Sequence, residues 1–206
     1  GTPLIDYAAS GSKADVAVVE VSSFQLDTME SFSPLVALLL NISPDHLDRY
    51  PNYEAYVQSK LKIFKNQGAG DFAILNDDDD ILSAFAPHKD LSVLRYGLKK
   101  KDHRLAFAEG KGIRAGLPGK ESHFFDLQKC PLPGKHNVEN MMAAALAGLA
   151  LNEEPPVIQY TMDHFEGLPH RLEFSGHLRE VDFYDDSKAT NVDAAIRSIA
   201  SFDRPI

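Results

Sequence analysis

Acidic and imidazole side chains placed just after buried strands are the groups best suited to hold a cation or polarise a substrate. Glu20 falls near the end of the β-branched run "ADVAVVEVS" (14–22), and "NISPDHLDRYP" (41–51) follows directly on the apolar "LVALLL". In a parallel α/β sheet the ligand site lies beyond the carboxyl ends of the strands. Glu20 and His46 are therefore expected at one sheet edge, where a carboxylate oxygen and an imidazole nitrogen can share a divalent cation. Plainer roles compete. Glu20 can be a strand-end residue in solvent and His46 a helix cap, while Asp48 and Arg49 can pair with each other or hold the turn.

Lys60 sits within a helical apolar pattern, between Val57 and Leu61, where a lysine ordinarily extends its ammonium to solvent. The run "DDDD" (77–80) favours a helix N-terminus through the macrodipole. In "PGKHNVEN" (133–140), Asn137 and Asn140 stand three apart at a helix start, so their amides can share one face; capping is the competing role for Asn137. Gly134–Lys135 is not part of a phosphate loop, which needs Gly, four residues, then Gly-Lys-Ser/Thr. His136 follows this pair, and Glu121 follows Gly119–Lys120. "DDSKATN" (185–191) joins a strand to a helix, a pattern found in ligand loops and in ordinary connections alike.

These groups need a scaffold. Strands are expected at 14–22, 34–44, 71–76 and 91–97. Helices are expected at 24–31, 52–66, 77–86, 136–152 and 156–165, on their apolar spacing. Short alternating pieces in 103–128 read as an antiparallel patch. Two further strands, "LEFSGHL" and "EVDFYDDS", precede a last helix at about 191–201. Strands alternating with helices predict an α/β fold with a mainly parallel sheet and flanking helices.

Composition narrows the function. With 44% hydrophobic and 25% charged residues the chain can bury a core. A formal net charge of −9 argues against a nucleic-acid surface. The lone Cys130 excludes an internal disulfide framework and fits a reducing compartment. The longest apolar stretch, "MMAAALAGLAL" (141–151), is too short to span a bilayer. A cytoplasmic location without membrane partners is expected. The chain starts at Gly1 and ends in "SFDRPI", which reads as a piece excised from a longer protein.

Five stretches together resemble a known family, the Mur ligases, ATP-dependent amide ligases of peptidoglycan precursor synthesis. They are "EVSSFQL" (20–26), "NISPDHLDRYP" (41–51), "GKHNVENMMAA" (134–144), "GLPHRLE" (167–173) and "DDSKATN" (185–191). "SSFQL" and "DSKATN" resemble the branch that adds D-glutamate to UDP-N-acetylmuramoyl-L-alanine. The resemblance implies that ATP phosphorylates the substrate carboxylate and that the amine of D-glutamate then attacks the acyl phosphate. It implies Mg²⁺ held by Glu20 and His46, with Lys60 carrying CO₂ as a carbamate that also binds metal; Lys60 and His46 count as catalytic. Asn137 and Asn140 match the adenine-facing pair. Arg171 and Asp186 match ATP contacts, and Lys188 and Thr190 match residues that close on phosphate and D-glutamate, Lys188 as catalytic. Ser22 matches a substrate-side residue.

The resemblance divides the chain into a central ATPase domain, 1–168, and the beginning of a Rossmann-like C-terminal domain, 169–206. With no phosphate loop in the sequence, the chain alone is expected to be inactive. The alternatives are another ligase of the superfamily, such as a folylpolyglutamate type, and a non-catalytic nucleotide-binding module.

Overall fold

A computed structural model describes residues 2–11, 13–45, 48–88 and 90–202, with only the backbone of Asp193. Its larger sheet has six strands in sequence order: β1 (Val36–Leu39), β2 (Phe72–Asn76), β3 (Ser92–Gly97), β4 (Ala106–Glu109), β5 (Gly112–Ala115) and β6 (His123–Asp126). β1 to β4 are parallel, and β4, β5 and β6 pair antiparallel. The expected mixed α/β architecture is present, with the antiparallel patch at one side of the sheet.

Strand β2 shows why the sheet sits between two layers. "FAILN" is apolar nearly throughout, as a strand covered on both faces must be. Because successive side chains point to opposite faces, Phe72 and Ile74 join one core and Ala73 and Leu75 the other. The first core is closed by α5 (Lys135–Ala150), whose Met142, Ala145 and Leu146 are fully buried, and by Ile158 and Met162 of α6 (Pro155–His164). The second is closed by Tyr56 and Val57 of α3 (Tyr53–Leu61) and Leu82 of α4 (Asp80–Ala84). The paired prolines do not merely end α5. Pro155 starts α6, where its missing N–H would be unpaired in any case.

Helix α2 (Ser23–Thr28) is pinned to α3 and the residues flanking it by polar contacts. Ser59 donates to the Ser23 carbonyl at 2.9 Å, and Asp27 receives the Tyr50 hydroxyl at 2.9 Å and Lys62 at 2.7 Å. A short helix α1 (Leu4–Ala9) precedes these elements and was not legible as apolar spacing. Two strands, β7 (Glu173–Leu178) and β8 (Val181–Asp185), form a separate antiparallel sheet, and α7 (Val192–Ile199) follows.

One expected strand is absent. Residues 14–22 form no ladder, and Val18 is 97% exposed. A β-branched run prefers a pleated, half-buried surface but supplies no neighbour to pair with. β1 pairs with β2 alone among the described strands, so its outer edge is left without a ladder to this run.

Candidate functional site

The carboxyl end of β2 carries a dense cluster of polar contacts. Asp77 and Asp78 follow β2 directly, and both bind Arg104, whose side chain is wholly buried. The Arg104 Nε donates to Asp77 Oδ2 at 2.9 Å, His103 lies at 2.9 Å, and Arg95 reaches Oδ1 at 3.5 Å. Burial pushes the Asp77 carboxyl up, but His103 and Arg104 outweigh it and hold the group at about 2. Asp79 does what the acidic run promised. It caps α4 by accepting from the Ile81 and Leu82 amides, and it also accepts from Ile42 beyond the end of β1.

Lys60 does not reach freely into solvent. It is half-buried, and its ammonium lies 5.2 Å from the centre of the Tyr56 ring, a cation–π distance. Burial pushes its pKa down, and the nearby Asp45 carboxylate opposes that shift. Burial, with Asp45 adding to it, raises the Tyr56 phenol to about 12. Lys60 is thus within electrostatic reach of Asp45 in the loop after β1.

Glu20 is not delivered beside it by a strand. It is exposed on the unladdered segment, and His46 lies outside the described residues, so the expected Glu20–His46 pair has no observed geometry. Ser22 caps α2 in a reciprocal box: its hydroxyl accepts from the Gln25 amide at 3.3 Å and its own amide donates to Gln25 Oε1 at 2.9 Å. Arg49 stacks over Phe24 at 5.1 Å.

The N-terminus of α5 borders a cavity of about 330 Å³. Its walls include Leu127, Cys130, Leu132, Asn137 and Met141, with Ser201 contributed from beyond α7. Asn137 is not the cap, a place taken by Gly134; its amide donates to the Pro133 carbonyl at 2.7 Å and so holds the turn. Asn140 donates to Asn137 at 3.4 Å, so the two amides do share a face. Gly134 has φ 91°, and a Cβ there would collide with the Ser201 side chain. Only glycine satisfies both limits. Its volume lies at the lower end of the range for small-molecule pockets, and its wall mixes apolar and polar groups.

Arg171, Lys188 and Thr190 lie outside the buried cores, and all three are exposed. The turn bearing Arg171 and the loop bearing Lys188 are tied together: the Lys188 amide donates to the His170 carbonyl at 3.1 Å, and the Leu172 amide to Asp186 Oδ1 at 3.1 Å. Asp186 also accepts the Ser198 hydroxyl. Each of its oxygens keeps a further lone pair for a ligand. Asp185 holds the His170 imidazolium above its usual range through a 2.7 Å bond, and the same bond, with Ser187, holds Asp185 at about 2.

A model of the Mur ligase middle domain matches residues 1–148. The chain belongs to the Mur ligase family. It is 44% identical over 207 residues to the UDP-N-acetylmuramoylalanine–D-glutamate ligase of Desulfatibacillum aliphaticivorans, covering 100% of this chain and 46% of that protein. It is 40% identical over 215 residues to the equivalent ligase of Geobacter sp., covering 100% and 45%. The chain thus spans just under half the length of these relatives. Among solved structures it is similar to MurF from Acinetobacter baumannii (24% identity, TM-score 0.62, 80% of this chain and 36% of that one). It is also similar to the UDP-N-acetylmuramate–alanine ligase of Thermotoga maritima (22%, TM-score 0.61, 87% and 40%). At such identity these structures speak for the fold, which they share with this Mur ligase chain.

Sequence reasoning missed three features of this region. The cavity wall at Leu127, Cys130 and Leu132 carries no motif. Arg104 signals nothing by spacing, since its partners Asp77 and Asp78 come 26 residues or more before it in the chain. Asp45 was visible beside His46, but its contact with Asn191 is a tertiary one. No helix among the described residues is long and apolar enough to cross a membrane.

Proposed function

We propose that this chain is part of an ATP-dependent carboxylate–amine ligase that joins D-glutamate to UDP-N-acetylmuramoyl-L-alanine through an acyl phosphate, in the cytoplasm. The observation that carries this reading is the match over the whole of this chain, at 44% and 40% identity, to relatives named as that ligase. The stretches "SSFQL" and "DSKATN" agree with it.

In this reading the division falls near residues 168 and 169, which fits two separate sheets and a family match ending at 148. The cavity beside Asn137 takes the adenine: its apolar wall buries the ring, and the Asn137 and Asn140 amides face the base edge. Arg171 and Asp186 approach the phosphates and ribose from the second part, with Lys188 and Thr190 directed to the phosphate and incoming amine. Holding ATP and the carboxylate together makes phosphoryl transfer effectively unimolecular.

Lys60 fits an amine that takes up CO₂, because its burial favours the neutral form. A carbamate there would supply an oxygen donor suited to Mg²⁺. The remaining magnesium donors are not assembled among the described residues. Glu20 is exposed outside any strand, and the one group of three His, Cys, Asp or Glu donors found among them is His170, Glu173 and Asp185.

The reading is tested by grafting residues 1–206 in place of the matching segment of the Desulfatibacillum aliphaticivorans relative. ADP release should require both UDP-N-acetylmuramoyl-L-alanine and D-glutamate. A folded graft that binds ATP and releases no ADP with both present would contradict it.

A further inference from the structure

Asn191 performs two functions with one carboxamide. Its Oδ1 accepts from the Ala194 amide at 2.8 Å and caps α7, while its Nδ2 donates to Asp45 Oδ2 at 3.1 Å. Asp45 belongs to the loop after β1 and acts electrostatically on Lys60. The far end of α7 is held as well: Ser201 lies 3.3 Å from His136 Nδ1 and packs against Gly134. Helix α7 is thus fastened at one end to the loop after β1 and at the other to the start of α5. The loop with Lys188 and Thr190 enters directly at the Asn191 end.

We infer that Asn191 is a positioning residue, pinning the 186–190 loop to Asp45 in the loop after β1 and so setting where Lys188 and Thr190 stand. The bearing of this pin on catalysis rests on the ligase reading; the pin itself does not. The chemistry explains the residue type. Aspartate caps a helix as well as asparagine does, but it has no N–H to offer Asp45 and would set two carboxylates face to face. Serine and threonine have one short hydroxyl for both partners. Asparagine alone among the good caps presents a separate acceptor and donor on one planar group.

This chemistry permits a swap. Asn191→Asp keeps the cap and breaks the pin. Adding Asp45→Asn restores it with direction reversed, because the carboxamide introduced at position 45 then donates to the carboxylate introduced at position 191. Asp45→Asn alone leaves the Asn191 donor an acceptor, the new carboxamide oxygen. Hydrogen exchange measured by mass spectrometry on the 206-residue chain reads the result in peptides covering 186–200. Asn191→Asp should speed exchange there by about tenfold, and both Asp45→Asn and the double variant should stay within about twofold of the parent. Unchanged exchange in Asn191→Asp, or a double variant that exchanges as fast as Asn191→Asp, overturns the inference. The rescue decides the matter even if Asn191→Asp loosens the chain more widely. No step of this test involves ligation, so its failure is separate from failure of the proposed function.

Discussion

The Arg104 guanidinium is wholly buried and bonds to two successive carboxylates, Asp77 and Asp78, at the carboxyl end of β2. It also donates to the Asp77 and Lys99 carbonyls, at 3.2 and 2.8 Å. One side chain therefore fastens the end of β2 to the connection between β3 and β4. Removing one partner of a buried pair leaves a charge uncompensated, so Arg104→Ala should cost about 3–5 kcal/mol of stability in denaturant unfolding.

The same pair sets an acid limit. The folded Asp77 carboxyl is held at about 2, below its unfolded value. Its contribution is present above the unfolded value of about 4 and is lost as pH falls from there through about 2. Thermal unfolding of the parent should show that loss. Asp77→Asn should be less stable at neutral pH and show a flatter decline across the acid window. An identical acid profile in the two proteins would remove Asp77 from the account.

Leu146 is fully buried between α5 and the sheet. Leu146→Ala should lower unfolding free energy by about 2–5 kcal/mol, the range for cavities left by such truncations. A loss below about 1 kcal/mol would mean that the helix does not close this core.

Much of this was legible in the chain. The buried strands β2 and β3 announced themselves by runs rich in apolar residues, and α5 by its spacing and length. The 14–22 run misled because β-branched content reports a preference for sheet surface and not the presence of a neighbour. Within the site, motif residues were legible one by one: Asn137 and Asn140 do share a face, and Lys60 is half-buried within its helix. Their surroundings were not. The cavity wall, the Arg104 pair and the Asn191–Asp45 bond join residues far apart in sequence, and no local pattern encodes such contacts.

At Gly134, the positive φ and the contact with Ser201 act together. Gly134→Ala should displace α7 from the start of α5 and weaken nucleotide binding in the grafted ligase by about tenfold, roughly 1.4 kcal/mol. Gly148→Ala is an instructive companion: its Cβ would meet the Ile158 side chain at 2.9 Å, near the other end of α5 from the Asn137 cavity. It should lower stability and leave nucleotide affinity unchanged. Isothermal titration of the two variants with ATP checks the contrast.

The proposed function makes this chain part of a ligase specific for D-glutamate. The most direct measurement gives the grafted ligase ATP, UDP-N-acetylmuramoyl-L-alanine and an equimolar mixture of D-glutamate, L-glutamate, L-lysine and meso-diaminopimelate, and identifies the products by mass and chiral analysis. The predicted result is one product, the D-glutamyl adduct, formed with ADP. A folded, ATP-binding graft that couples another of these amines, or consumes ATP equally without D-glutamate, would contradict the account.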